Sequence, residues 1–443
     1  WRGDAVRSRL CVRQYAVEKR LDLFSGTPDS FFMRYQLKKA ATSRDRAIMI
    51  VDVSVAFMHA PINERVVVKV PKGVQSETGY WLLKKALNGT REASKMWTDH
   101  SAGILESWGA VRNDHNPAIF RLESLHCLSE ESPLSSAVPC LSEESPPSST
   151  AADVDIEQHG DDFAVEGPRD QILKLKELFQ KSFLCKKANV ISMHPDDDKE
   201  GWFLHKRIWC DDAGWHEELE SRYVADLVQT TGVEFGHIVK TPGIKESVSK
   251  KGSTVPLPAQ EHSTYRSGAG LAQYICDKRG DINFAVKEVL RKLAAPTSED
   301  DTALKRIARY LKGVPNSILD FPWDAQLPTH IDVYVDSDWC GESETRKSTS
   351  GGAICFGGVE LKHWVTTQAV ISLSSAEAEN KAAVKGTVEG LYLANLLAQQ
   401  GVQVEIYVHS NSSACIGHCS RLGNGKRMRH LEASDLWIQQ LVK

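Results

Sequence analysis

The segment EQHGDDFAVEG, residues 157–167, places two adjacent carboxylates, Asp161 and Asp162, directly after a glycine and before an apolar run. Glycine accepts the backbone conformations that tight turns need, and short apolar runs bounded by such residues are typical of strands. The pattern therefore predicts a hairpin with both aspartates near its turn. Taken alone, the pair fits a solvated turn as well as it fits half of a metal site.

A third carboxylate lies on a predicted strand in the first part of the chain. The stretch RAIMIVDVSVAF, residues 46–57, is rich in β-branched and apolar residues and carries Asp52. A polymerase needs carboxylates on two neighbouring strands to hold two Mg²⁺ ions about 3.5–4 Å apart. A strand bearing Asp52 beside the Asp161–Asp162 hairpin would supply them.

Bulk composition limits the class of protein. The 443 residues suffice for two or three domains, and no apolar run approaches the roughly 18 residues of a membrane span, so we expect no membrane partner. The chain begins at Trp1 without the apolar region of a signal peptide, which indicates an internal piece of a longer polypeptide.

Ten scattered cysteines favour free thiols in a reducing compartment. Cys415 and Cys419 would make half a zinc site, but no second ligand pair follows.

An acidic insertion interrupts the first half of the chain. CLSEESPLSSAVP, from Cys127, is followed at once by CLSEESPPSSTAA, and such Ser-, Pro- and Glu-rich repeats are typical of disorder. We assign residues 125–156 to the insertion. Ten acidic residues and no Lys or Arg lie between Cys127 and Glu166, so the remainder is mildly basic despite a net charge of −4. In AADVDIEQ, residues 151–158, acidic and apolar residues alternate, which predicts a half-buried edge strand.

Hydrophobic periodicity assigns the other elements. We expect a second strand in residues 64–73, helices in residues 169–183 and 221–232, and amphipathic helices with basic outer faces in residues 265–293 and 298–313. The last block, from near Leu327, has the order β-β-β-α-β of a compact α/β domain.

Several motifs together resemble one family. VDVSVAFMHAPINERVVVKVPKG, residues 51–73, resembles the catalytic-aspartate segment of reverse transcriptases from copia-type retrotransposons. WLLKKALNGTREASKMW, residues 81–97, is similar to the family's Trp-x-Leu-x-Lys-Ala-Leu-Tyr-Gly-Leu-Lys-Gln-Ala-Pro-x-x-Trp, and HGDDF stands where the family has Tyr-Val-Asp-Asp. KTPG, DKRGDINFAV and RIARYLKG match later motifs in the same order, so the resemblance covers nearly the whole chain.

The resemblance implies an α/β (α+β) fold. It places the fingers and palm of a right-hand polymerase in residues 1–124, more of the palm in 157–240, a helical thumb and connection in 241–326, and a ribonuclease H-like α/β domain in 327–443.

The same resemblance implies roles for individual residues. Asp52, Asp161 and Asp162 would hold two Mg²⁺ ions, with Mn²⁺ as an alternative. Phe57 would be an aromatic gate against the ribose 2′-hydroxyl, and Arg91 would contact the nucleotide. Without the resemblance, Phe57 fits a core position equally well.

Residues 333–358 and ISLSSAEAEN, residues 371–380, resemble the ribonuclease H domain of the same polyproteins. By this match, Asp336 on a strand and Glu379 in a helix are two of the acids that hold two Mg²⁺ ions for RNA hydrolysis. Where the family has the third acid, this chain has Ser410. A neutral hydroxyl is a poor Mg²⁺ ligand, so we predict that ribonuclease H activity is impaired.

Other departures from the family motifs concern single positions. RHLEASDLW matches the last ribonuclease H motif, with Glu432 as its acid and His430 as the preceding histidine. Glu92 puts a carboxylate next to the expected triphosphate, and we expect Arg91 or Lys95 to offset it. His159 and Gly160 replace Tyr-Val, which keeps the bulk and the turn.

The sequence therefore predicts an RNA-directed DNA polymerase with a ribonuclease H-like domain. Its partners would be an RNA template, a DNA primer, an RNA–DNA hybrid, deoxynucleoside triphosphates and other parts of the Pol polyprotein, in a cytoplasmic particle or the nucleus. Basic helices around Lys287 to Lys312 would contact phosphates. The alternatives are a catalytically inactive nucleic-acid-binding remnant, as in a decaying copy, and an unrelated α/β protein.

Overall fold

The chain folds into two compact units of mixed α/β structure. The computed structural model describes residues 10–15, 18, 20, 23, 25–62, 64–71, 73–123, 153–243, 255–342, 344–423 and 430–442. The first unit ends at Leu204 and also takes in Ala398–Val402, and the second unit contains the rest. Among the described residues, no helix has both the length and the apolar character that crossing a membrane requires.

The first unit combines short helices with a large sheet. In the part of the chain that the structure describes, its elements are α1 (Phe31–Ala40), β1 (Arg46–Val53), β2 (Val67–Lys69), β3 (Tyr80–Leu82), α2 (Ala93–Ser107), β4 (Val111–Arg112), β5 (Ile119–Leu122), β6 (Val154–His159), β7 (Asp162–Pro168), α3 (Arg169–Ser182), β8 (Cys185–Ile191) and β9 (Glu200–Phe203). The predicted strands β1 and β2 and the predicted helix α3 are confirmed.

Six strands form one sheet in the order β4-β5-β6-β7-β1-β8, and its paired neighbours are antiparallel. β1 lies inside the sheet, and seven of its eight residues are buried, as expected for an uninterrupted apolar run. Met49 and Val51 join a core with Phe179 of α3, and Ile48, which alternation puts on the other face, is buried too. The hairpin that carries Asp161 and Asp162 is thus built on an interior strand.

β6 corrects the prediction for residues 151–158. The expected half-buried edge strand is wrong, because β6 lies between β5 and β7 and is buried over all residues but the last. Val154 and Ile156 belong to the apolar core. Asp155 and Glu157, on the opposite face, are almost completely inaccessible to solvent.

Buried cations explain why the carboxylates of Asp155 and, on β7, Glu166 are tolerated. Lys39 of α1 lies 2.6 Å from Asp155, and Arg46 of β1 lies 2.5 Å from Glu166 of β7. Arg46 also donates a hydrogen bond to the Asp153 carbonyl oxygen at 3.0 Å. A buried charge is acceptable when it is paired and hydrogen-bonded. The acidic pattern of residues 151–158 therefore marks a buried ionic layer, and its cations come from parts of the chain over a hundred residues away.

The second unit contains two groups of elements. The first group is β10 (Lys206–Cys210), β11 (Gly214–Leu219), α4 (Arg222–Thr230), α5 (His262–Cys276), α6 (Asn283–Leu290), α7 (Ser298–Gly313) and β12 (Ile318–Pro322). The second group is β13 (His330–Ser337), β14 (Thr349–Phe356), β15 (Val359–Thr367), most of α8 (Ser375–Gln399), β16 (Glu405–His409), α9 (Ser413–Cys419) and α10 (Ala433–Leu436). The predicted β-β-β-α-β order of the last block is confirmed by β13 to β16.

Helices α4 to α7 share one apolar core that includes Leu227, Ala269 and Leu304. α7 begins with a capping box in which the Thr297 side chain accepts from the Asp300 amide while the Asp300 carboxylate accepts from the Thr297 amide. This arrangement satisfies backbone donors at the start of the helix. The amphipathic pattern of residues 298–313 is thus confirmed as a helix packed by its apolar face.

In the last block the strand order is β15-β14-β13-β16, with β13 and β16 parallel. α8 packs closely against β13 through glycine. A Cβ atom at Gly386 would lie only 2.3 Å from a methyl carbon of Val335. The close approach of α8 to β13 therefore depends on a residue without a side chain.

Two of the predicted domain boundaries differ from the boundaries of the strands and units in the structure. Most of the predicted disordered insertion, residues 124–152, lies outside the described residues. Residues 153–156, the last of the predicted insertion, belong to β6 or directly precede it. Residues 205–240, part of the predicted palm, lie in the second unit.

Candidate functional site

Asp52 and Asp162 lie directly opposite each other on neighbouring strands. They are paired positions in the antiparallel register of β1 and β7. The Val53 amide donates to the Asp161 carbonyl at 3.0 Å, which extends the pairing to the turn. Directly opposed residues point to the same face with their Cβ atoms about 4.5–5.5 Å apart. The structure thus brings the predicted carboxylates to one end of β1 and β7.

The turn beside these residues depends on glycine. His159 pairs with Asp162, so Gly160 and Asp161 form a two-residue hairpin loop. Gly160 has φ of 63°, and both common two-residue hairpin turns require a positive φ at the first loop position. Any residue with a Cβ atom would be strained there.

A buried tryptophan, Trp97 of α2, stabilises this turn by a hydrogen bond. The Trp97 indole N–H donates to the Gly160 carbonyl at 2.7 Å, and the ring packs edge-on against Phe163 and Phe183. Trp97 entered the sequence analysis only as the end of a motif, and its function in positioning the hairpin was not predicted. A donor on α2 facing a distant loop has no signal in the local sequence.

The carboxylates influence one another strongly. Burial, and then the negative charges of Asp161 and Asp52, raise the pKa of Asp162 from 3.8 to about 6, while Lys186 acts in the opposite direction. Carboxylates held close together repel one another, and this repulsion favours binding of a proton or a cation. The site is therefore electrostatically suited to a divalent metal ion.

Lys186 of β8 forms an ion pair with Asp52. The register of β1 and β8 shifts between Asp52 and Val53, which pair with Lys187 and Cys185, so Lys186 is the additional residue of a β-bulge. Sequence reasoning missed Lys186, because a bulge is visible only when both strands are in place.

The donor set fits Mg²⁺, which prefers carboxylate oxygens. Within the described residues, however, no group of three or more His, Cys, Asp or Glu side chains is arranged to hold a metal ion. At this sheet edge the Asp52 carboxylate is engaged by Lys186. Binding of metal by Asp52, Asp161 and Asp162 remains a prediction, and it requires Asp52 to leave that ion pair.

Phe57 follows Asp52 on a short 3₁₀ turn, Ala56–Met58. Its side chain is half-buried and packs against the apolar core of the first unit. The residue at the start of this turn, Val55, has φ of 49°. A left-handed conformation is unusual for a β-branched residue and costs energy, so the turn between Asp52 and Phe57 is strained.

The region around Glu92 corrects another expectation. We expected Arg91 or Lys95 to offset the Glu92 carboxylate, but Arg20 lies 2.5 Å from it. Arg91 donates to the Glu18 carbonyl oxygen at 2.6 Å, and Lys95 pairs with Asp99 along α2. The compensating cation comes from the N-terminal segment, which no local pattern indicated.

The last block, residues 327–443, brings two of its predicted acids together. Asp336 lies on β13 and Glu379 near the start of α8. Burial, and then the charge of Asp336, raise the pKa of Glu379, and the Ser337 amide donates to its carboxylate. Within the described residues, Glu379 Oε2 is buried without a hydrogen-bond partner. An unsatisfied carboxylate oxygen beside a second acid fits a cation site.

Ser410 and the last motif complete this block. Ser410 follows β16, and its hydroxyl accepts from the Ser412 amide at 3.2 Å. His430 lies 2.8 Å from Glu377, a residue that the sequence analysis did not single out. Glu432 is exposed at the start of α10, and among the described contacts none joins it to Asp336 or Glu379. Its predicted metal-binding role has no support in these contacts.

Comparison with known proteins finds relatives among transposon polyproteins. The chain is 24% identical over 452 aligned residues to the retrovirus-related Pol polyprotein from transposon TNT 1-94 of Nicotiana tabacum, covering 98% of this chain and 31% of the relative. It is also 24% identical to that from transposon RE1 of Arabidopsis thaliana, covering 99% and 28%. Its homologues are retrovirus-related Pol polyproteins of copia-type plant transposons.

The chain spans about a third of the length of those relatives. No family model matches it. Its similarity to a solved structure titled as a foamy viral protease-reverse transcriptase in complex with double-stranded DNA is 13% in sequence, with a TM-score of 0.48, over 92% of this chain and 56% of that one.

Several basic side chains of the predicted basic helices are engaged in contacts within the protein. On and just after α6, Arg291 forms an ion pair with Glu342, Lys292 lies 3.2 Å from Glu344, and Lys287 donates to the Thr349 hydroxyl at 2.9 Å. These cations contact residues 342–349 of the last block, so fewer of them face solvent than the sequence suggested.

Cys415 and Cys419 lie one turn apart on α9, with their sulfur atoms 3.9 Å apart. Both are buried free thiols. They are part of the packing between α9 and Asn380 of α8, whose side-chain oxygen lies 3.7 Å from the Cys419 sulfur. Within the described residues, they are not part of any group of three or more side chains that could hold a metal ion.

Proposed function

We propose that this chain is the RNA-directed DNA polymerase of a copia-type retrotransposon, joined to a ribonuclease H-like domain. The observation that carries the proposal is the direct opposition of Asp52 and Asp162 on β1 and β7. We assign the six-stranded sheet to the palm, residues up to 124 to fingers and palm, the α4 to α7 region to thumb and connection, and residues 327–443 to the ribonuclease H-like domain.

In this proposal Asp52, Asp161 and Asp162 hold Mg²⁺. Two such ions, when bound, would activate the primer 3′-hydroxyl and neutralise the departing pyrophosphate. The protein keeps the carboxylates in place through the Gly160 turn and the hydrogen bond from Trp97. Phe57, half-buried beside the site, would exclude ribonucleotides.

The similarity to Pol polyproteins supports a nucleic-acid partner. In this proposal the partners are an RNA template, a DNA primer and deoxynucleoside triphosphates. Basic side chains of α7 would contact backbone phosphates. Arg91 is engaged by the Glu18 carbonyl, so its contact with a nucleotide would require that hydrogen bond to break.

Primer extension on poly(rA)/oligo(dT) with Mg²⁺ tests the proposal. We expect extension by the unmodified chain and its loss in Asp161→Asn. Asp170→Asn, at the start of α3, removes the same charge and serves as the control. Equal signals from the unmodified chain and Asp161→Asn would leave only a catalytically inactive nucleic-acid-binding remnant.

One observation favours a binding function for the ribonuclease H-like domain. Ser410 occupies the position where the family carries an acid, while Asp336 and Glu379 remain together. We infer that this domain binds an RNA–DNA hybrid and cleaves it poorly. A gel-shift titration with a labelled hybrid tests binding, and a domain that binds the hybrid no better than single-stranded RNA would contradict the inference.

A further inference from the structure

The Lys186 ammonium lies where it would compete with a metal ion for the Asp52 carboxylate. Its ammonium group pairs with Asp52, the carboxylate that opposes Asp162. Both side chains of the pair are partly accessible, with 49% of Lys186 and 31% of Asp52 exposed. The contact is therefore open to exchange with ions from solvent.

The backbone places Lys186 there by a bulge. Asp52 pairs with Lys187, Val53 pairs with Cys185, and Lys186 is the residue left over between them. A bulge makes two residues oppose one and turns the additional side chain. The bulge lies directly beside Asp52, the proposed metal ligand, and it brings the Lys186 ammonium within ion-pair distance of Asp52.

We propose that Lys186 is a positioning residue that holds the Asp52 carboxylate while the site is free of metal, and that a divalent cation binds there by displacing it. This inference rests on the proposed function, because it takes Asp52 and Asp162 as ligands of the same ion. It adds a component that the carboxylates alone do not supply, namely a protein cation whose release accompanies metal binding.

The size of the effect follows from the exposure of the pair. An ion pair open to solvent is worth about 0.2–1 kcal/mol. Metal binding that must break it is weakened by the corresponding factor, roughly 1.5- to fivefold. Removing the ammonium group therefore tightens metal binding by that factor, in addition to the general effect of losing one positive charge.

Lys187 supplies a matched control for that general effect. It is the neighbouring residue of the same bulge, is exposed, and makes no ion pair within the described residues. Lys187→Met and Lys186→Met remove the same charge from nearly the same place. The difference between the two variants isolates the contact with Asp52. Lys186→Arg keeps a cation that can pair with Asp52.

The experiment is a titration of the full chain with Mn²⁺, in which free Mn²⁺ is measured by electron paramagnetic resonance. Asp162→Asn defines the signal that belongs to the site. We expect Lys186→Met to bind Mn²⁺ roughly 1.5- to fivefold more tightly than Lys187→Met, and Lys186→Arg to stay within about twofold of the unmodified chain.

Two results overturn the inference and can be told apart. Equal affinities of Lys186→Met and Lys187→Met mean that only long-range charge matters, which overturns the positioning role and leaves the metal site intact. If Asp162→Asn binds Mn²⁺ as the unmodified chain does, the proposed metal site itself is wrong, and the inference about Lys186 is overturned with it.

Discussion

The Lys39 ammonium lies 2.6 Å from a carboxylate oxygen of Asp155, and both side chains are almost fully buried. Lys39 belongs to α1 and Asp155 to β6, so the pair joins segments 116 residues apart. It lies in the same ionic layer as Arg46 and Glu166, under the sheet that carries the candidate polymerase site. The ionic layer therefore connects the acidic strand to the rest of the fold.

Breaking this pair should be costly. Lys39→Met leaves a buried carboxylate without its cation, and we expect it to lower the free energy of unfolding by about 3–5 kcal/mol. Because an apolar pair can replace a buried ion pair, Lys39→Met combined with Asp155→Leu should cost less than Lys39→Met alone. Urea unfolding followed by circular dichroism measures both. Lys174→Met, on the exposed face of α3, is the control, and a double variant less stable than Lys39→Met would contradict the account.

The strain at Val55 predicts a stabilising substitution. Val55 has φ of 49° and is exposed, so its side chain contributes little packing there. Asn accepts the left-handed region more readily, and Val55→Asn should raise the free energy of unfolding by about 0.5–1 kcal/mol. Val67→Asn, at an exposed position of β2, should give no such gain. Equal changes in the urea midpoint for both variants would show that the turn is not strained.

Asp162 predicts a pH dependence of stability. Its pKa is raised from 3.8 to about 6, so the folded protein binds this proton more tightly than the unfolded chain does. Stability from this group is present below about pH 4 and is lost as the pH rises to about 6 and above. Asp162→Asn removes the penalty, and its stability relative to the unmodified chain should increase between pH 4 and 7. Asp45→Asn, in the turn before β1, controls for charge, and a constant difference for Asp162→Asn would refute the prediction.

Ser410 predicts a gain of ribonuclease H activity. Ser410→Asp adds a carboxylate next to the block that carries Asp336 and Glu379, and we expect cleavage of an RNA–DNA hybrid to rise by about a hundredfold or more, as for a restored metal ligand. Ser412→Asp adds the same charge at the start of α9, where aspartate also caps a helix, and should not restore cleavage. If the unmodified chain already cuts the hybrid at the rate of Ser410→Asp, the impairment is not real.

Much of the fold could be predicted because its signals are local. β1 and α3 have clear apolar periodicity, and the strand and helix order of the last block follows from alternation and length. Sequence motifs predicted both parts of the candidate site, Asp52 and the hairpin at Gly160. The structure pairs Asp52 with Asp162 of that hairpin.

The errors concern contacts between distant segments. The acidic pattern of β6 indicated an edge strand, because the buried partners Lys39 and Arg46 are invisible in a local window. Lys186 and the hydrogen bond from Trp97 were missed for the same reason, since each acts across strands or from a helix on a residue far away in sequence. Local sequence defined the carboxylates of the site, and tertiary structure defines what holds them.

The most direct test of the central claim is a single-nucleotide incorporation assay with Asp52→Asn, Asp162→Asn and the double variant. If the two carboxylates serve one metal site, each single variant should lower the incorporation rate by about a thousandfold or more, and the double variant should be hardly slower than either, because residues that act as a unit are not additive. Incorporation by Asp52→Asn at the rate of the unmodified chain would contradict the assignment of Asp52 and Asp162 to one active site.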